Sequence, residues 1–222
     1  DAFLVHDRAI VTRADDSVAL VVNGAPVLVR RSRGYTPQRI SLTGMPGEST
    51  LADAPILACG AHLKNTFCFR DRSGATLGPH IGDLDDVSAF EDYERSIARL
   101  ESFLHRTPRV IVHDMHPDYA STRYALERAA RSNGALRAVA VQHHHAHVAS
   151  AIVEHGLYGE PVIGVALDGT GFGTDGTSWG GEVLVADLFE FERVAALRVV
   201  ALPGGVDVPD GFAADAGPDA VA

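Results

Sequence analysis

The feature that most constrains the fold is a change of hydrophobic period between residues 56 and 168. Three short apolar runs come first, Ile56 to Cys59, Asn65 to Arg70 and Ala75 to Leu77, each of strand length. Phe90, Tyr93, Ile97, Leu100 and Leu104 then recur at helical spacing, which predicts a helix over Val87 to Leu104. Beyond it the pattern alternates: strand Arg109 to His113, helix Tyr119 to Arg131, strand Ala138 to Gln142, helix His144 to Glu154, strand Pro161 to Asp168. Three strands followed by strand–helix alternation is the signature of an α/β fold with a mixed sheet.

The flanks read differently. Ser17 to Val22 and Pro26 to Arg30 are apolar runs separated by Asn23-Gly24, a strong local hairpin signal. A lone hairpin buries too little to be stable, so this segment is expected to pack on something else. Thr43 to Thr50 is rich in turn formers and poor in core residues, and marks a boundary. The resulting division is a first segment at 1–44, a linker at 45–54, the α/β region at 55–205 and a tail at 206–222. The tail is mostly Asp, Ala, Gly and Pro without periodicity, the composition of a disordered segment. The chain opens on Asp1-Ala2-Phe3-Leu4 without an initiating Met, from which an upstream portion is expected.

Composition excludes several classes. With 46% hydrophobic and 22% charged residues there is material for a folded core. A net charge of -10 repels a phosphate backbone, so no nucleic-acid partner is expected, although a local donor cluster can still hold a nucleotide. No run is long and apolar enough to span a bilayer and no signal-peptide layout is present, which predicts no membrane association and a cytoplasmic location. Cys59 and Cys68 both lie in strand-like stretches and read as small buried hydrophobes in a reducing compartment.

Three motifs could carry chemistry. In Gln142-His143-His144-His145-Ala146-His147, at a strand-to-helix junction, His143 and His147 are spaced to share one helix face and one metal ion. The same string also reads as solvated or capping histidines at a helix start, and spacing alone leaves both readings open. Asp168-Gly169-Thr170-Gly171-Phe172-Gly173 follows an apolar strand. Its glycines allow backbone N–H groups to converge on a phosphate, Thr170 adds a hydroxyl and Asp168 offers a hard ligand, while a plain Gly-rich hairpin turn is the alternative. Arg30-Arg31-Ser32-Arg33-Gly34-Tyr35, with Ser17 nearby, could clamp phosphates or form a solvated basic edge. Gly60 to Thr66, which includes Lys64, and His113 to Tyr119 put polar groups at strand ends, where α/β folds tend to build sites.

Taken in order, these strings resemble the HypF family of [NiFe] hydrogenase maturation carbamoyltransferases. Residues 1–44 resemble the end of its YrdC-like domain. Gly60 to Thr66, His80 to Leu84, His113 to Tyr119, Gln142 to His147 and Asp168 to Gly173 resemble its transfer domain. The resemblance implies the first half of an actin/Hsp70-like (ASKHA) mixed-sheet domain. It further implies formation of carbamoyl-adenylate from carbamoyl phosphate and ATP with Mg, then transfer of the carbamoyl group to the C-terminal cysteine of a HypE-like acceptor for cyanide ligand synthesis. His143, His147 and Asp168 would hold a divalent metal, Zn or Fe, and Lys64, His143 and His147 would be catalytic. Gly169, Thr170 and Gly171 would contact phosphate, and Ser17, Arg31 and Arg33 would lie near the nucleotide. An O-carbamoyltransferase of natural-product biosynthesis and a non-catalytic fragment are the competing readings.

Overall fold

The computed structural model describes residues 2–46 and 54–198. The linker and tail expected from the sequence lie largely or wholly outside them. The hairpin forms as read: β1 (Val18–Val22) and β2 (Ala25–Arg30) pair antiparallel around Asn23 and Gly24. These two turn residues take φ of 51° and 79°, as a two-residue turn matched to strand twist requires. The strands are exposed along almost their whole length.

Next in the chain come β3 (Arg39–Ile40), β4 (Ile56–Ala58), β5 (Cys68–Asp71) and β6 (Gly74–Leu77). Helix α1 (Val87–Leu104), β7 (Val110–Asp114), α2 (Ala120–Arg131) and β8 (Arg137–Val141) follow. The six-stranded sheet has the order β3-β6-β5-β4-β7-β8. β4, β5 and β6 form an antiparallel meander, while β4, β7 and β8 run parallel, so the sheet is mixed as the period change predicts. Arg39 and Ile40 precede the boundary expected near residue 44, yet they pair with Thr76 and Ala75 of β6 in this sheet.

One core covers the sheet. Leu57, Phe67, Phe69 and Ile111 meet Tyr93, Ile97 and Leu100 of α1 and Ala125 of α2, all buried. Asp86 caps α1 by accepting the Ala89 N–H at 2.9 Å, and His105 ends it in the left-handed region. Tyr93 satisfies its buried hydroxyl by donating to the Cys59 carbonyl at 3.0 Å. Burial pushes the Cys59 thiol up to about 12 and the Cys68 thiol to about 11, as expected of inert structural cysteines.

A second core joins α3 (His143–His155) to an antiparallel sheet of β9 (Val162–Phe172), β10 (Ser178–Ala186) and β11 (Phe191–Ala196), in the order β11-β10-β9. Val148 and Ile152 of α3 pack against Trp179, Leu184 and Ala186. The helix starts at His143, one residue before the sequence reading, because Gln142 caps it by accepting the His145 N–H at 2.8 Å. The Gly-rich stretch after Asp168 is not the expected loop. β9 continues through it to Phe172, and the chain reverses only over residues 173–177.

Candidate metal centre

The carboxyl ends of the parallel strands β7 and β8 are where an open α/β sheet presents its loops, and chemistry gathers there. β7 ends on Asp114, and β8 runs through Gln142 directly into α3, so His143 emerges beside it. The third contribution comes from β9. Between the pairs Gly171↔Trp179 and Leu167↔Gly181 the register shifts. Three residues of β9 face one of β10 there, a bulge of the kind that re-aims side chains. Asp168 is the first residue of this bulge and points at α3.

The three side chains converge. His143 Nε2 lies 2.8 Å from Asp168 Oδ2, His147 Nε2 lies 3.3 Å from the same oxygen, and the two imidazole nitrogens are 3.2 Å apart. Three ligands bound tetrahedrally at zinc-like distances of about 2.0–2.1 Å sit roughly 3.3 Å from one another. The donor set and its spacing therefore fit a divalent cation. Asp168 is arranged for single-oxygen ligation, since its Oδ1 accepts the Gly169 N–H at 2.7 Å and leaves Oδ2 to the histidines. The site is open on one side, with the His147 side chain 59% exposed against 12% for His143.

On its other edge His143 Nδ1 meets Asp114 Oδ2 at 2.6 Å. That hydrogen bond, against the opposing effect of burial and with help from Asp168, raises the His143 pKa above its usual value. Burial acts to raise the Asp168 pKa, but the Gly169 N–H and the two imidazoles outweigh it and hold the carboxyl below the usual range. Tyr119, beside both aspartates, is pushed up to about 12 by burial and by their charge. It stacks on His116 at 4.2 Å, whose ring meets Phe172 edge-on at 5.6 Å, so an aromatic wall flanks the cluster.

The neighbouring histidines do other work. His144 is fully buried, with Nδ1 3.2 Å from the Gln142 amide nitrogen, and it faces Trp179. His145 Nε2 bonds the Asp187 carbonyl at 2.8 Å. A second group, His62 with Asp83 and Asp85, is close enough to suggest a cation, but its hydrogen bonding argues otherwise. His62 Nδ1 accepts the Ala120 N–H, so the ring proton sits on Nε2 and is donated to Asp85 at 2.9 Å. No lone pair is left for a metal.

The remaining residues singled out from the sequence are placed elsewhere. Gly169, Thr170 and Gly171 are strand residues beside the cluster, and Thr170 shares a hydroxyl contact of 2.8 Å with Ser178 across the hairpin. Gly171 is required sterically: a Cβ there would lie 2.6 Å from His144 Cε1 and 3.1 Å from His143 Cβ. Lys64 is exposed, at φ 49°, and has no hydrogen bond or ion pair with His143, His147 or Asp168. Ser17 ties its own segment together, accepting the Ser32 N–H and donating to the Arg33 carbonyl. Arg33 bonds the Ala14 carbonyl and pairs with Asp16, and Arg31 stands over Tyr35. Asp114 and Gln142 were not singled out as site residues. The Gln142 cap was detectable locally, whereas the Asp114 contact spans 29 residues.

The chain is similar to known proteins along most of its length. A family model described as the HypF Kae1-like domain matches residues 51–154, and one described as the second subdomain of a carbamoyltransferase Kae1-like domain matches residues 164–209. The chain is 45% identical over 209 residues to carbamoyltransferase HypF2 of Cupriavidus necator, covering 92% of this chain and 24% of that protein. It is 43% identical over 204 residues to carbamoyltransferase HypF of Synechocystis, covering 92% of this chain and 25% of the relative. A crystal structure of full-length HypF in a phosphate- and nucleotide-bound form superposes with a TM-score of 0.75 at 48% identity, over 87% of this chain and 29% of that one. That of T. kodakarensis HypF gives 0.71 at 38% identity, over 82% and 23%. The chain thus spans about a quarter of the length of these curated relatives. The mixed sheet is the ASKHA-like architecture expected from the sequence. By sequence and by fold, the chain belongs to the HypF carbamoyltransferase family.

Proposed function

We propose that this chain supplies the metal-holding wall of a carbamoyl-transfer site in [NiFe] hydrogenase maturation. The donor would be carbamoyl-adenylate, made from carbamoyl phosphate and ATP, and the acceptor the C-terminal cysteine of a HypE-like protein. The observation that carries the reading is the convergence of His143 Nε2, His147 Nε2 and Asp168 Oδ2 within 3.3 Å. A divalent ion, Zn or Fe, held by these atoms supplies Lewis-acid polarisation of a carbamoyl or phosphoryl oxygen.

The chain's own residues prepare that setting. Gly169 fixes the Asp168 carboxylate, and Asp114 fixes the His143 ring. The exposed hydroxyls of Thr170 and Ser178 offer donors to a phosphate or carbamoyl oxygen next to the cluster. In the transfer itself the acceptor cysteine, having lost its S–H proton to solvent, attacks the carbamoyl carbon as a thiolate, a C–S bond forms, the bond from that carbon to the phosphate oxygen breaks, and AMP leaves with the electron pair. Transfer to a thiol rather than a hydroxyl is what the resemblance to the HypF family implies. No nucleic acid enters this scheme, in keeping with the net charge of -10. No helix among the described residues is long and apolar enough to cross a membrane.

The test is metal stoichiometry on the purified chain loaded with zinc or ferrous iron. One equivalent per chain is expected, lost in His143→Ala and Asp168→Ala and retained in His144→Ala. Absence of binding by the parent chain, or equal loss from all three variants, would overturn the assignment. Transfer of carbamoyl to a peptide ending in serine but not in cysteine would overturn the choice of acceptor.

A further inference from the structure

Asp114 is the one carboxylate of the cluster that makes no contact suited to a cation, and its surroundings suggest a different task. Its side chain is 5% exposed, and each carboxylate oxygen has a fixed partner. Oδ1 accepts the His116 N–H at 2.8 Å, and Oδ2 bonds His143 Nδ1 at 2.6 Å. Its main-chain oxygen is held as well, by the Thr122 hydroxyl at 3.1 Å and by His113 Nδ1 at 2.7 Å. The residue ends β7, which pairs with β8 along its whole length. A carboxylate locked at the end of a central strand is a rigid reference point, whereas His143 sits in the first turn of α3, where a side chain is ordinarily freer.

We infer that Asp114 is a positioning residue for the metal centre, holding the proton of His143 on Nδ1 so that the Nε2 lone pair is presented to the cation. This deepens the reading of the His143, His147 and Asp168 cluster given above and rests on it. A neutral imidazole carries one ring proton, and whichever nitrogen keeps it cannot ligate. Without an acceptor at Nδ1, the ring can rotate or change tautomer and offer the cation the wrong edge. With the acceptor present, the negative charge also makes Nε2 a better donor. Removal of such an outer partner weakens metal binding by about 10–100-fold in well-studied sites. Asp168 cannot substitute for it, because its Oδ2 lies on the Nε2 side of the ring.

The experiment uses the full 222-residue chain with zinc as the probe, competed against a chromophoric chelator. Asp114→Ala is expected to weaken zinc binding by about 10–100-fold. Asp114→Asn, which keeps an oxygen acceptor without the charge, should recover part of that loss. Circular dichroism and the unfolding midpoint show whether either variant is folded, and the Asn variant serves if the Ala variant is not. A second readout is the ring proton of His143 in the zinc-loaded, ring-15N-labelled protein. A slowly exchanging Nδ1–H is expected in the parent and in Asp114→Asn, and should be absent in Asp114→Ala. Equal zinc affinity in all three folded proteins, or the same protected Nδ1–H in Asp114→Ala, overturns the positioning role and leaves the metal ligands standing. Failure of the parent chain to take up zinc or ferrous iron overturns the metal reading itself.

Discussion

His143 and His144 are adjacent in sequence and opposite in environment, and their titrations pull stability in opposite directions. Asp114 raises the His143 pKa, so its contribution is complete below the ordinary value of about 6.5 and fades as pH rises through the higher folded value. Burial lowers that of His144, so below about 6.5 the unfolded chain takes a proton that the folded chain refuses, and stability falls. His144→Phe removes the second effect and keeps the first. Against the parent, its urea midpoint in the metal-free state should decline less steeply below pH ~6.5. The gain is at most about 1.4 kcal/mol per pH unit, the value of one proton. A parallel decline in both proteins would show that His144 is not held neutral. Metal binding should survive this substitution, because the buried ring offers no ligand atom to the cluster and meets His143 only edge-on at 5.5 Å, a contact that a phenyl ring keeps.

At the scale of elements, the Gly-rich hairpin is the instructive case. Its glycines suggested a turn around phosphate, but Gly171 is small because α3 lies against it, and a Cβ would meet His144 and His143. Gly171→Ala should push α3 away from β9 and weaken zinc binding without removing a ligand, at a cost of about 1–3 kcal/mol in stability. An unchanged zinc affinity would mean that the helix absorbs the methyl elsewhere. The turn itself is held by Asp175, which accepts from the Thr177 N–H, the Thr177 hydroxyl and Trp179 Nε1, and pairs with Arg193. Asp175→Ala should therefore speed amide hydrogen exchange at Gly176 and Thr177 well beyond that at β7, and equal rates at both places would discount the hub. Such contacts explain what the sequence withheld. Helix α1 was legible to the residue because its apolar positions keep strict helical spacing, and the β1–β2 hairpin was legible from Asn23-Gly24 to within one residue at each strand start. β10 was not, because Gly180-Gly181 interrupts its alternation at the β9 bulge, and β11 carries charges through a short strand. His143, His147 and Asp168 could be named from spacing and motif. Asp114 could not, since only the pairing of β7 with β8 brings it to α3.

The described residues form two hydrophobic cores, and the candidate metal centre lies at their junction. All three ligands stand on α3 and β9, whose Val148, Ile152 and Val162 pack in the second core, while Asp114 ends β7, whose Ile111 packs in the first. A cation that binds only the folded state adds about 2.7 kcal/mol at a hundredfold excess over its dissociation constant. Zinc should accordingly raise the unfolding midpoint, a chelator should reverse the rise, and Asp168→Ala should abolish it. Where that stabilisation appears distinguishes two couplings. If the ligands alone matter, zinc will slow exchange of the α3 and β9 amides and leave β4 and β7 as they were, because the second core can tighten by itself. If the Asp114–His143 hydrogen bond joins the cores, protection will spread to residues 110–114 and through the parallel pairing to 56–58. The second outcome is expected, since three further hydrogen bonds, from His113, His116 and Thr122, fix Asp114, and it cannot follow His143 without moving β7. Asp114→Asn should then confine the zinc-induced protection to α3 and β9, even where zinc is saturating.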